Sequence, residues 1–138
     1  MASLVKQLIN TTNAAKPVAP YTSQAVIADR TVYVSGALGL DKTTMQLVSG
    51  GVAQQTEMAL KNLEAILIAA NSGLEKVVKT TVWLKDLSDY DTVNEIYMEI
   101  FGQEFPARSV IQVTRLPLDA LVEIECIALT GNVVTASN

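Results

Sequence analysis

The chain has no histidine and a single cysteine, Cys126, among its 138 residues. Without an imidazole, Ser-His-Asp triads, Cys-His dyads and the usual zinc ligand sets are excluded. Catalysis must then run on carboxylate, guanidinium, hydroxyl, amide and water. One cysteine cannot close a disulfide within the chain, and the N-terminal segment shows no apolar stretch followed by a small-residue cleavage site. A reducing compartment is expected, the cytoplasm first, with a mitochondrial or nuclear fraction left open. Residues 1–28 include Lys6 and Lys16 but no acidic residue, a bias shared by transit peptides. That segment also lacks arginine, and Leu4 to Ile9 reads better as a first strand.

Long apolar runs are missing too. Stretches such as Ala65 to Ala70 end well short of the roughly 20 residues that a membrane-spanning helix requires, so no membrane partner is expected. Positive charge is scarce: ten basic residues face fourteen acidic ones, for a net charge of -4, with no dense Lys/Arg block. The long-range field therefore repels phosphate backbones, which makes nucleic acid a disfavoured partner.

Apolar residues, by contrast, are abundant at 49% of the chain, with a mean hydropathy of +0.29. This length accommodates one domain, residues 1–138. At this size the surplus apolar surface is hard to bury internally and points to an oligomer.

Patterning supplies the elements. Ala25 to Ala28 and Thr31 to Ser35 flank Asp29-Arg30 as a hairpin, and the glycine-containing segment 36–51 reads as a loop or irregular hairpin. From Val52 to Asn71, residues Val52, Thr56, Ala59, Leu63, Ile66, Leu67 and Ala70 form one helical stripe. Glu57 and Lys61 pair on its outside, and Gly73 stands where a terminating glycine belongs. Val77 to Leu84 is a β-branched strand with Val78, Thr80, Val82 and Leu84 on one face. Ser88 to Asp91 has capping-box spacing and opens a second helix, with Tyr90, Val93, Tyr97, Ile100 and Phe101 inward and Gly102 at its end. Ala107 to Val113 and Leu121 to Leu129 are the last strands, joined by a short turn that suggests a simple hairpin. The result is a βαβαββ core after an N-terminal hairpin, a single sheet with both helices on one face. Its bare second face repeats the oligomer inference.

Few residues stand out as chemistry. Arg108 opens a strand among mostly uncharged neighbours and needs an anionic partner. A structural ion pair is the commoner explanation and a ligand site the sharper one. Glu123 and Glu125 share the face opposite Val122, Ile124 and Cys126, as a general base and its neighbour or as the wet side of the sheet. Asn94 lies between the inward positions Val93 and Tyr97. Cys126 reads as a core thiol, and Tyr33, Trp83 and Phe105 as core or interface residues. Gly50-Gly51 precedes a helix but lacks the Lys and Ser/Thr of a phosphate loop.

Several of these residues also form a pattern. Pro106-Ala107-Arg108-Ser109, then Leu116-Pro117, then Val122-Glu123-Ile124-Glu125 resemble the signature region of the RidA (YjgF/UK114) family. Val34-Ser35-Gly36, Val78-Lys79-Thr80-Thr81-Val82 and Asp91-Thr92-Val93-Asn94-Glu95 match in the same order. Asp29 to Tyr33, Leu47 to Gly51 and Val93 to Tyr97 are closest in wording to the animal UK114 branch. The resemblance implies a chorismate-mutase-like α+β fold with a further strand between the last two, assembled as a homotrimer with ligand sites at subunit clefts. It leaves open whether Arg108 and Glu123 of one site belong to one subunit.

The implied activity is hydrolytic deamination of 2-imino and 2-enamino acids, such as 2-aminoacrylate and 2-iminobutanoate, to 2-keto acids, with no cofactor and no metal. Carried onto this chain, Arg108 would grip the substrate carboxylate in a bidentate pairing and Glu123 would position or activate water. Tyr21 and Asn94 would line the cleft, Ser35 and Gly36 would offer hydroxyl and backbone contacts, and Tyr90 would form an aromatic wall. The chain departs from the family pattern at Ala37, where many members have Gln, at Val110, where many have Cys, and by one extra residue near Thr22-Ser23. The alternatives are a non-enzymatic carboxylate-binding or chaperone-like trimer, and a ribonuclease or translation inhibitor. Charge and the missing histidines weigh against the last.

Overall fold

The computed structural model describes residues 1–138. Six strands, β1 (Lys6–Ile9), β2 (Ala25–Ala28), β3 (Thr31–Leu38), β4 (Val77–Leu84), β5 (Ala107–Gln112) and β6 (Val122–Leu129), form one mixed sheet in the order β1-β2-β3-β6-β4-β5. Helices α1 (Val52–Ala69) and α2 (Tyr90–Phe101) pack together and cover one face. Only the β4-β5 pairing is parallel.

The last two strands are not a hairpin. β4 lies between them, as the family resemblance implies, and the turn at Leu116 to Asp119 carries the chain across it. β4 pairs with β6 on one side and β5 on the other, and Thr80, Val82 and Leu84 on its helix-covered face are completely buried.

The helix-covered face is the core. Leu60, Leu63 and Leu67 of α1 and Val93 of α2 are at most 1% exposed and meet Val32, Val82 and Ile124 of the sheet. Each fully buried aliphatic side chain contributes about 1.5–3 kcal/mol of transfer free energy. A second cluster, Leu38, Leu40, Leu116 and Ala120, closes the end of the sheet nearest Glu123. Cys126 is in the main core, and burial pushes its thiol up to about 12. No helix is long and apolar enough to cross a membrane.

Some local expectations are corrected. β3 runs through Gly36 to Leu38, with a register shift between Val34 and Ala37, and Leu40 bridges Leu47 beyond it. A bulge between Val77 and Lys79 turns Val78 outward and puts Val77 in the core, reversing the alternation at that end. Asn71, with φ 54, takes the left-handed position after α1, whereas Gly73 is extended. The second helix opens without a capping box: Asp86 accepts from the Ser88 amide at 2.9 Å, a short 3-10 turn follows, and α2 starts at Tyr90. Tyr90 is 41% exposed rather than inward.

The uncovered face is mixed. Tyr33 and Ile111 are exposed on it, with Trp83, Glu123, Glu125 and Ile127 half-buried between them. Phe105, in the loop before β5, is exposed as well.

Candidate functional site

Arg108 stands on edge strand β5 opposite Thr80 of β4, and it points to the helix side of the sheet. Its Nη2 donates to Asn94 Oδ1 at 2.7 Å, and its guanidinium carbon lies 4.7 Å from the Tyr97 ring centroid and 5.8 Å from that of Tyr90. No carboxylate pairs with it: the ion pairs of the chain are Lys61–Glu57 and Arg115–Asp119, both exposed. The structural ion pair expected of Arg108 is therefore absent. An amide oxygen and two π faces orient the cation without neutralising it. Asn94, Tyr97, Met98, Phe105, Pro106 and Arg108 line a cleft of about 280 Å³.

Glu123 is elsewhere. It alternates to the open face of β6, opposite Trp83 of β4. Its carboxylate lies against the α-carbon of Gly36, where any side chain would collide with it. Burial first, then the charge of neighbouring Glu125, raises its carboxyl above the usual carboxylate range. Ser35, Gly36 and Glu123 share a second cleft, of about 270 Å³, with loop 15–22, Asn62 and Pro117. The Ser35 hydroxyl donates to Ser23 O at 2.7 Å. Tyr21 projects from this loop, 89% exposed, and lines neither cleft within one chain.

Arg108 and Glu123 are thus two strands apart, three register positions apart along β4, and on opposite faces of one sheet. The structure joins Arg108 with Asn94 and Tyr90, and Glu123 with Ser35 and Gly36, but not the two groups with each other.

The sequence matches the Endoribonuclease L-PSP family model over residues 11–130. The chain belongs to this family, the RidA family of the sequence resemblance. It is 65% identical over 135 residues to the RutC family protein UK114 of Drosophila melanogaster, covering 98% of this chain and 97% of that one. It is 50% identical over 137 residues to human 2-iminobutanoate/2-iminopropanoate deaminase, covering 99% of both. The crystal structure of RidA from a Psychrobacter species superposes with a TM-score of 0.86 at 43% identity, covering 89% of this chain and 98% of that one. Escherichia coli TdcF with bound serine superposes with a TM-score of 0.83 at 34% identity, covering 91% and 99%.

This RidA chain also uses residues that sequence patterning passed over. Three buried amides pin the loops around the Glu123 cleft. Asn62 on α1 accepts from the Ala15 amide at 3.0 Å and donates to Leu38 O and Leu40 O at 3.1 and 2.9 Å. Gln24 donates to Thr11 O and Ala15 O, and Gln55 accepts from the Leu121 amide. A polar residue beside a helix stripe was the available signal: Asn62 and Gln55 adjoin the buried stripe positions Leu63 and Thr56 and are 5% and 7% exposed. Tyr97, read as a core residue, proves to be the ring beneath Arg108. No group of three or more histidine, cysteine, aspartate or glutamate side chains gathers as a metal centre would require.

Proposed function

We propose that this RidA protein hydrolyses 2-imino acids, formed by tautomerisation of 2-enamino acids, to 2-keto acids and ammonia, as a homotrimer whose sites lie between subunits. The observation that carries this is the Arg108 guanidinium: half-buried, oriented by Asn94 and two aromatic rings, and lacking a carboxylate of its own. Such a cation in a cleft is suited to a small carboxylate, because a planar fork of N–H donors matches it bidentately. The name of the human relative, an iminobutanoate/iminopropanoate deaminase, supports the same substrate class.

The mechanism follows from the residues. Arg108 holds the substrate carboxylate, and Tyr90 walls the cleft. Glu123 from the neighbouring subunit holds a water and takes one of its protons as the oxygen bonds to the imine carbon and the C=N π pair moves onto nitrogen. It passes that proton to the nitrogen, giving a carbinolamine, then carries the hydroxyl proton to the same nitrogen as the C–N bond breaks, which releases ammonia and leaves the keto acid. Its raised carboxyl suits both transfers, since a proton carrier works best when its pKa approaches the working pH. Ser35, Gly36 and Tyr21 complete the cleft from the neighbour's side. The imine is already electrophilic, so orientation and one held water are sufficient. The open sheet face, with exposed Tyr33 and Ile111, supplies apolar surface for the trimer contact.

The test is keto-acid release while an amino-acid oxidase generates 2-iminobutanoate. Wild type accelerates release, and Arg108→Ala loses the acceleration by about 100-fold or more, the loss expected for a bidentate charged contact. An unchanged rate in that variant sinks the reading. Thermal stabilisation by small carboxylates with no acceleration indicates a carboxylate binder instead.

A further inference from the structure

The guanidinium of Arg108 rests on a ring that is itself tied down. Tyr97 is 3% exposed, and its hydroxyl lies 2.7 Å from that of Thr80, which is fully buried; neither hydroxyl has another partner. The ring packs on Phe101 with centroids 4.5 Å apart and planes tilted by 30°, and the Arg108 guanidinium carbon sits 4.7 Å from its centroid on the cleft side. Thr80 is in turn the register partner of Arg108 across the parallel β4-β5 pair. The contacts close a circuit: from the β5 backbone through the arginine side chain to the α2 ring, through one hydrogen bond to β4, and back to β5.

Packing does not call for this circuit. Valine at 80 and phenylalanine at 97 would fill nearly the same volume and bury no hydroxyl, and buried hydroxyls are tolerated only when both find partners. The pair does aim the ring. Burial lifts the Tyr97 phenol above its ordinary range, so it stays protonated, and the ring presents a neutral π face to the cation. Asn94 takes one N–H of the guanidinium, which leaves the other donors of this cleft-lining side chain without a partner in the chain.

We propose that Tyr97, held by Thr80, is a positioning residue for Arg108: its ring fixes the plane of the guanidinium and keeps one face dry, so that the free N–H edge meets the substrate carboxylate in a single orientation. This rests on the reading of Arg108 as carboxylate clamp.

The test uses Thr80→Val, which keeps the volume and removes the hydroxyl, beside Thr80→Ser, which keeps the hydroxyl and removes a methyl. Binding of the keto-acid product 2-oxobutanoate is measured by calorimetry, and keto-acid release and the thermal midpoint are measured in parallel. Thr80→Val is expected to weaken 2-oxobutanoate binding about tenfold and raise KM more than it lowers kcat, the size of a lost, desolvated cation–π contact. Thr80→Ser keeps wild-type affinity even where its midpoint falls. Affinity that follows the midpoint across both variants, or wild-type affinity in Thr80→Val, overturns the proposal. Should Thr80→Val fail to fold, Tyr97→Phe, which retains the ring and loses the tether, carries the same comparison with a smaller rise. Arg108→Ala separates the two readings. If it binds 2-oxobutanoate as wild type does, the clamp itself is wrong; if it loses binding while Thr80→Val and Tyr97→Phe do not, only the positioning role falls.

Discussion

The two clefts of this chain are made rigid by different means. Around Arg108 the supports are aromatic rings and one amide, all from α2 beside edge strand β5. Around Glu123 they are buried amides, Gln24 and Asn62, that staple loop 10–24 to α1 and β3, and a glycine that makes room for the carboxylate. The first cleft offers a cation that polarisable faces orient without neutralising. The second offers a carboxyl that burial makes reluctant to ionise. Each holds what the other lacks, and the sheet separates them. A cation and a proton carrier kept apart within one chain cannot quench each other, and the proposed assembly brings them together only between copies.

The largest effect should come from rejoining the halves across subunits. Arg108→Ala and Glu123→Gln proteins are each expected to be inactive, but after co-refolding in equal amounts one site of each mixed trimer, about a quarter of all sites, combines an intact Arg108 with a neighbour's intact Glu123. Keto-acid release near that fraction of wild type supports the shared site; no recovery in confirmed hetero-oligomers refutes it.

Next is Gly36→Ala. The added methyl occupies the position of the Glu123 carboxylate, a flexible group that can swing aside, so the protein should fold normally while keto-acid release drops about 10–100-fold from the misplacement. Retention of full activity would show that the Gly36 contact is irrelevant to the chemistry.

Asn62→Leu should break the second cleft's support and leave the first intact. One amide N–H and two carbonyls lose their partner, at a cost of about 1–3 kcal/mol that a denaturant melt resolves. Keto-acid release should fall more than carboxylate affinity, since Asn62 supports the Glu123 side of the shared site while Asn94, Tyr90 and Tyr97 hold Arg108.

The smallest effect is a pH signature. A carboxyl whose folded-state pKa lies above its unfolded value favours folding below the unfolded value and loses that contribution as pH rises through the folded one. Glu123→Gln should therefore melt slightly above wild type at neutral pH, with the difference vanishing near about pH 3, where both side chains are uncharged. A midpoint below wild type at neutral pH would mean that the charged carboxylate is stabilised rather than strained.

Much of the fold was legible in one dimension. The α1 stripe, the β-branched β4 and the in-out alternation of β6 are local periodicities, and each determines its own element. The alternation also put Glu123 and Cys126 on opposite faces correctly. What failed to show were features set by neighbours: the Val78 bulge exists because β6 pairs across it, and Asn71 ends α1 because its left-handed turn sends the chain back toward β6 and the Thr130 hydroxyl. Leu116 to Asp119 looked like a hairpin turn because loop length does not reveal that another strand has claimed the space between.

For the site, composition alone removed imidazole chemistry and any disulfide within the chain, since no fold can supply an absent side chain. Sequence pattern singled out Arg108, Glu123 and Asn94 as candidates, because charges and amides inside apolar segments demand partners. Which partner each found was decided in three dimensions. Asn94 is one helix and fourteen residues from Arg108, Thr80 meets Tyr97 across strand and helix, and Gly36 lies under Glu123 only because β3 pairs with β6. That Arg108 and Glu123 occupy opposite faces was likewise a matter of strand order. Alternation assigns a residue to one side of its own strand, and only the placement of β4 between β5 and β6 tells which sides coincide.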